Sequence, residues 1–172
     1  MAAVNVGDKV PSATIMSLGD DGRPAKTSTD DYFAGKKTVL FAVPGAFTPT
    51  CSVKHLPGFV EKAADIKGKG VDQIACIAVN DAFVMGAWGA SANADGIDML
   101  ADGNGEFAAA MGLQMDGSGF GLGQRMQRFA MIVEDGKITQ LNVEEPGAFE
   151  VSSAEHVLGQ LESRGFRTAR QC

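Results

Sequence analysis

The chain has 172 residues, 45% apolar and 21% charged, a balance that suits one folded domain over 1–172 with a sizeable core and argues against disorder. A net charge of −6 leaves no electrostatic footprint for nucleic acid or an anionic membrane surface, and no apolar run reaches the ~18 residues of a membrane span. The opening Met-Ala-Ala-Val-Asn-Val-Gly-Asp-Lys lacks the regions of a secretory signal, so a cytoplasmic protein is expected.

Near the start, Ala13 to Leu18 reads as a strand and Gly19-Asp20-Asp21-Gly22 as its turn, which predicts an N-terminal hairpin. Thr29 to Phe33 is a short capped helical turn ending at Gly35. Thr38 to Val43 is an apolar run of the kind that forms a buried strand, and Pro44 and Gly45 end it. Thr48-Pro49 then signals a helix start, with Thr as N-cap and Pro at the first helical position, where a missing N–H costs nothing. Cys51 therefore falls in the first helical turn. From Thr50 to Lys67, Val53, Leu56, Val60 and Ala63 recur at helical spacing, flanked by Phe59 and Ile66. Pro57 should kink or interrupt this helix, and Gly68 and Gly70 close it.

Gln73 to Val79 is short and almost wholly apolar, as in a strand buried on both faces. Together with the preceding strand and helix it makes a right-handed βαβ unit. Asn80 or Asp81 caps a second helix striped by Phe83, Val84, Ala87 and Trp88, and Ile97 to Ala101 is expected as a third parallel strand. Gly105 to Met111 forms a short helix. The glycine-rich run Asp116 to Gly123 lacks the residues and context of a phosphate-binding loop and reads as a flexible surface loop. Arg128 to Val133 and Lys137 to Val143 flank Glu134-Asp135-Gly136, a hairpin signal. Ser152-Ser153-Ala154-Glu155 has capping-box spacing and starts a last helix running to about Arg164. Arg164, Arg167 and Arg170 there serve the helix C-terminus and solvation. This order of elements fits a mixed α/β sheet covered by helices.

Three cysteines, Cys51, Cys76 and Cys172, are too few and too scattered for a disulfide scaffold. The histidines are His55 and His156 only, so no zinc set is visible. Cys51 and His55 share a helical face, but nothing completes a ligand set, and neither a metal nor another cofactor is expected. His55 reads instead as a partly buried hydrogen-bonding residue. Two readings of Cys51 stand side by side: a small buried hydrophobe, or a thiolate favoured by the unsatisfied N–H groups and dipole of a helix N-terminus. The absence of Cys-x-x-Cys spacing argues against a thiol–disulfide oxidoreductase. A cation beside Cys51 would further favour a thiolate, but composition does not choose among six arginines. Cys76, midway along an apolar strand, is by composition a core residue. Cys172, at the terminus, is expected to be a mobile thiol without a role.

Pro44, Thr48 and Cys51 match the Pro-x-x-x-Thr-x-x-Cys signature of the peroxiredoxins. The string from Val43 to Val60, VPGAFTPTCSVKHLPGFV, resembles the peroxiredoxin-5 (type II) subfamily. Val79 to Val84, Ala87-Trp88-Gly89 and Arg128-Phe129 extend the resemblance over nearly the whole chain. It implies a thioredoxin-like fold and a thiol peroxidase that reduces hydrogen peroxide and alkyl hydroperoxides through a sulfenic acid on Cys51. Arg128 would be the activating cation, the Thr48 hydroxyl would bond thiolate and peroxide, and Pro44 would shield the site. The Thr50 and Cys51 amides would stabilise the transition-state oxygen. Cys76 becomes the candidate resolving thiol, with an external thiol as the other route. A helix start and a strand interior are not expected to bring the two Cα atoms within ~7 Å, so a bridge needs the Cys51 turn to unwind. Glutaredoxin with glutathione, or thioredoxin, is the implied reductant. A homodimer is also implied, with the Trp88 and Phe120 regions near its interface beside the active site. The competing reading from a different class is a redox-sensing binding protein or chaperone that uses Cys51 only as a peroxide sensor.

Overall fold

The central strand sends its side chains alternately into two cores, and this sets the layering. The computed structural model describes residues 3–161. Its strands are β1 (Thr14–Leu18), β2 (Pro24–Ser28), β3 (Lys37–Ala42), β4 (Gln73–Ala78), β5 (Asp98–Ala101), β6 (Gln114–Asp116), β7 (Gln124–Met126), β8 (Phe129–Glu134) and β9 (Lys137–Val143). Seven form one sheet in the order β2-β1-β5-β4-β3-β8-β9, while β6 and β7 pair separately. β3 lies parallel to β4 and antiparallel to β8, so the sheet is mixed. The fold is thioredoxin-like, with an N-terminal hairpin of β1 and β2 as the turn residues predict.

Val39 and Phe41 of β3 enter one core with Ile74, Cys76 and Ala78 of β4; Leu40 and Ala42 enter the other with Ala75 and Ile77. The period of two along a strand requires this division. The first core is closed by α2 (Leu56–Lys67), α3 (Ala82–Ser91) and a helix over residues 154–161, through Leu56, Phe59, Ile66, Met85, Trp88, Val157 and Leu161. The second is covered by α1 (Thr29–Phe33) and α4 (Glu106–Met111), through Phe33, Phe107 and Met111. Burying a side chain of this size contributes about 1.5–3 kcal/mol. Cys51 and Cys76 belong to the same core, on the α2 side of the sheet.

Three local features depart from the sequence expectations, and the choice between Asn80 and Asp81 as a helix cap falls to Asp81. The helix expected over Thr50 to Lys67 is divided: residues 49–50 are α-helical, Cys51–His55 form a π-helical turn, and α2 follows with Pro57 in its first turn. Pro57 has no N–H to offer to the carbonyl four residues back and its ring crowds that turn. The wider π turn, in which the Leu56 amide donates to the Cys51 carbonyl, accommodates it. Asp81 caps α3 through the Val84 amide, whereas the Asn80 side chain accepts from the Ala46 amide. The last described helix is capped by Ser153, which accepts from the His156 amide, and not by the capping box expected at Ser152. The glycine-rich run is the tip of the β6–β7 hairpin, where the Gly117 amide donates to the Gly123 carbonyl and the Leu122 amide to the Gly117 carbonyl, and it contains a 3₁₀ turn at Ser118–Phe120. Arg164, Arg167, Arg170 and Cys172 lie outside the described residues.

Between β8 and β9, Asp135 and Gly136 both have positive φ, +49° and +79°, the conformation of a tight hairpin turn of matching twist. On its other side β8 pairs with β3, Phe129 opposite Ala42, which puts Arg128, immediately before β8, beside the carboxyl end of β3.

Candidate active site

The site forms where β3 ends. The Val43 amide donates to the Ile77 carbonyl, extending the sheet contact one residue beyond the strand, and Pro44 then stops the ladder. The next residues are tied down individually. The Ala46 amide donates to Asn80, the Thr48 hydroxyl donates to the Gly45 carbonyl at 2.7 Å, and Phe47 takes a positive φ of 64°. A Cβ at Gly45 would meet Arg125 Nη1 at 2.9 Å and Thr48 Cγ2 at 3.1 Å, so any larger residue would have to push the end of Arg125 aside. Arg125 bonds the carbonyls of Leu122 and Pro44, joining the β6–β7 hairpin to this loop.

Helical structure begins at Pro49, which leaves Thr48 at the N-cap position and Cys51 in the first turn, as the sequence predicts. The first intrahelical bond runs from the Ser52 amide to the Thr48 carbonyl at 2.9 Å. The Thr50 and Cys51 amides therefore lie ahead of the helical ladder and remain open to an anion. Trp88 Nε1 donates to Ser52 Oγ at 3.1 Å and pins this turn to α3.

Cys51 is only 1% exposed, yet its sulfur has a polar partner: Arg128 Nη2 donates to Sγ at 3.0 Å. The other terminal nitrogen, Nη1, lies 2.8 Å from His55 Nδ1. His55 Nε2 in turn lies 2.8 Å from the Ser152 carbonyl. Since a guanidinium has only donors and a carbonyl only accepts, His55 is the neutral tautomer with its proton on Nε2. Burial, followed by the Arg128 charge, lowers its pKa from 6.5 to about 3, against the opposing pull of the Ser152 carbonyl and Glu144.

Glu144 organises the far side. Its carboxylate accepts from the backbone amides of Glu150, Val151 and Ser152 and from the Ser152 hydroxyl. Burial works to raise this carboxyl, but the Ser152 hydroxyl and the three amides outweigh it and hold the group below the usual range. The half-buried Phe149 packs beside them, its ring centroid 5.8 Å from the Arg128 guanidinium carbon and 5.0 Å from the His55 ring. A cleft of about 340 Å³ opens over the assembly, lined by Pro44, Thr50, Gln127, Arg128, Glu144 and Pro146 among others.

The residues singled out from the sequence thus gather unequally. Cys51 and Arg128 are in direct contact, and Pro44 lines the cleft above them. Thr48 is in the same loop, but the bond it makes is to Gly45 and not to the sulfur. Cys76 is wholly buried and reduced, beside Phe41 in the β3–β4 register. Its thiol is pushed well up by burial first and by the Cys51 charge second. Trp88 is a core residue at 1% exposure, whereas Phe120 is 88% exposed. Glu144 and Phe149 carry no sequence signal, because irregular segments have no periodicity to read, and Ser152 had one only as a helix start. His55 had one, its i, i+4 spacing from Cys51, but its partner lay 73 residues away.

A Redoxin family model matches residues 5–158. The chain is 51% identical to peroxiredoxin-2E, chloroplastic, of Arabidopsis thaliana, over 93% of this chain and 70% of that protein. It is 49% identical to peroxiredoxin-2B of the same plant, over 94% of this chain and all of the relative. Among solved structures, reduced Prx3 from Vibrio vulnificus in complex with hydrogen peroxide superposes with a TM-score of 0.89 at 54% identity, over 92% of this chain and 99% of that one. Peroxiredoxin 5 from Alvinella pompejana gives 0.82 at 34% identity, over 93% and 99%. A cysteine in a first helical turn, met by an arginine and set in this fold, agrees with those likenesses, and the chain belongs to the peroxiredoxins, the thiol-dependent peroxidases.

Proposed function

We propose that Cys51 is the peroxidatic nucleophile and reduces hydrogen peroxide and alkyl hydroperoxides. The observation that carries this reading is the 3.0 Å contact from Arg128 Nη2 to Cys51 Sγ in a first helical turn beneath an open cleft. The thiolate sulfur attacks one peroxide oxygen, the O–O bond breaks, and the departing oxygen leaves as water or alcohol after taking up a proton. Cys51 is left as the sulfenic acid. Arg128 offers a fixed charge and further donors to the peroxide, while the free Thr50 and Cys51 amides stabilise charge on the moving oxygens. Pro44 shields the sulfur from water. Thr48 serves through its hydroxyl oxygen, which accepts from peroxide while its O–H donates to the Gly45 carbonyl.

A thiol then condenses with the sulfenic acid, releasing water and forming a disulfide that a second thiol reduces. Cys76 is one such thiol, and glutathione with glutaredoxin, or thioredoxin, supplies the other route. A cytoplasmic setting keeps these reductants reduced. The exposure of large apolar side chains such as Phe47, Val53, Phe83 and Phe120, between 55% and 88%, favours a homodimer, which sedimentation of the intact chain tests.

Steady-state peroxide consumption with glutaredoxin and glutathione, thioredoxin or a simple dithiol tests the reading. Turnover is expected in wild type and none in Cys51→Ser. A single stoichiometric oxidation without turnover, as a sensor or chaperone would give, overturns it.

A further inference from the structure

An arginine beside a catalytic sulfur has to be aimed, and the usual device is a carboxylate fork. A carboxylate would also cancel the positive charge that the sulfur and the peroxide need. At this site the acid near enough to serve, Glu144, accepts five hydrogen bonds from the 150–152 segment and its hydroxyl, and none from Arg128. The group that takes up Arg128 Nη1 is the uncharged lone pair of His55 Nδ1 at 2.8 Å. A neutral acceptor orients the guanidinium and leaves its full charge on the sulfur side.

We infer that His55 is a positioning residue for the peroxide reaction, aiming Arg128 at Cys51 through its Nδ1 lone pair without neutralising it. The inference rests on the peroxidase reading above. Its parts are locked in series. Glu144 gathers the amides of Glu150, Val151 and Ser152, which places the Ser152 carbonyl 2.8 Å from His55 Nε2. That carbonyl takes the ring proton and so frees Nδ1 for Arg128. The ring is itself clamped, with Phe41 at 4.9 Å, Phe59 at 5.6 Å and Phe149 at 5.0 Å between centroids. His55 touches neither sulfur nor cleft and acts only through Arg128. The π-helical turn matters here, because it carries Cys51 and His55 at its two ends and sets both against one guanidinium.

The test compares wild type, His55→Phe and His55→Asn. Phenylalanine keeps the aromatic contacts and removes the lone pair; asparagine returns an acceptor near the Nδ1 position. Single-turnover peroxide oxidation and iodoacetamide alkylation of Cys51 at neutral pH are the rate measurements, with the melting temperature recorded for each variant. His55→Phe is expected to slow the peroxide step on the order of 10- to 100-fold, the usual loss when a reacting group is misplaced. His55→Asn is expected to recover most of it, whatever the order of the melting temperatures. Nitrogen NMR of the wild-type ring should show Nδ1 without a proton, a result that does not depend on either variant folding. Wild-type rates in His55→Phe, failure of asparagine to restore a slowed step, or a proton on Nδ1 each overturns the inference. Cys51→Ser run alongside keeps the two readings apart: if that variant still turns over peroxide the peroxidase reading fails, and if it is dead while His55→Phe is unimpaired only the positioning role fails.

Discussion

Arg128 Nη2 stands 3.0 Å from Cys51 Sγ although 77 positions separate the residues in the chain. The two reach each other because β3 and β8 are antiparallel neighbours whose register pairs Ala42 with Phe129. The residue before β8 and the turn after β3 therefore meet at one sheet end, where the chain leaves the ladder and side chains are free to serve chemistry.

The strength of that contact predicts the Arg128 variants. Arg128→Ala removes the charge and both bonds, and single-turnover peroxide oxidation should slow by roughly 10²–10³-fold, the scale of losing a preorganised donor. Arg128→Lys should recover little, because an ammonium on a flexible stem does not reach sulfur and His55 together in a fixed fork. An Arg128→Lys enzyme as fast as wild type would show that charge alone suffices.

Gly45 offers a test of the loop. Its Cβ would stand 2.9 Å from Arg125 Nη1, so Gly45→Ala must push the flexible end of that side chain away and break its bond to the Pro44 carbonyl. A stability loss of about 0.5–1.5 kcal/mol is expected in denaturant titration, the scale of one hydrogen bond. Arg125→Ala, which removes the same bond, should cost a similar amount, and adding Gly45→Ala to it should cost little more. A double variant that loses the sum of the two would place the strain on Thr48 Cγ2, 3.1 Å from the new carbon.

Cys76 is predicted to bridge to Cys51 within one chain after stoichiometric peroxide. Local opening of the π-helical turn supplies the route, and such an opening costs less than global unfolding. Cys76→Ala should retain turnover with glutathione while losing the bridge. Non-reducing peptide mapping decides the matter: Cys51 found only as sulfenic acid or mixed disulfide would make Cys76 a core residue and this a one-cysteine enzyme.

Acid should destabilise the fold early. His55 is neutral when folded down to about pH 3, whereas the unfolded histidine takes a proton near 6.5. Stability is therefore complete above about pH 6.5 and declines as pH falls towards 3, by up to about 1.4 kcal/mol per unit. Glu144, held below its ordinary range, acts in the same sense further down. Asp102, raised chiefly by burial, acts in the opposite sense. Denaturant midpoints measured from pH 7 to 4 should show the decline in wild type and a shallower slope in His55→Asn.

Most of the elements, and the position of Cys51 among them, were legible in the sequence alone. The short apolar runs of β3 and β4, the Thr48-Pro49 start and the Asp135-Gly136 turn are local instructions, and each acts over a few residues where sterics and backbone bonding dominate. They placed Cys51 in a first helical turn, and they marked Pro57 as an interruption without saying what form it would take. Only the tertiary structure decided what surrounds the sulfur. Composition left six arginines equivalent, and resemblance chose Arg128; the geometry that brings it to Cys51 follows from sheet order, which no local pattern encodes. The partners of His55 and the five bonds on Glu144 depend on where two irregular segments cross. Such segments have no period to read, so their contacts exist only once the sheet has set the distances between them.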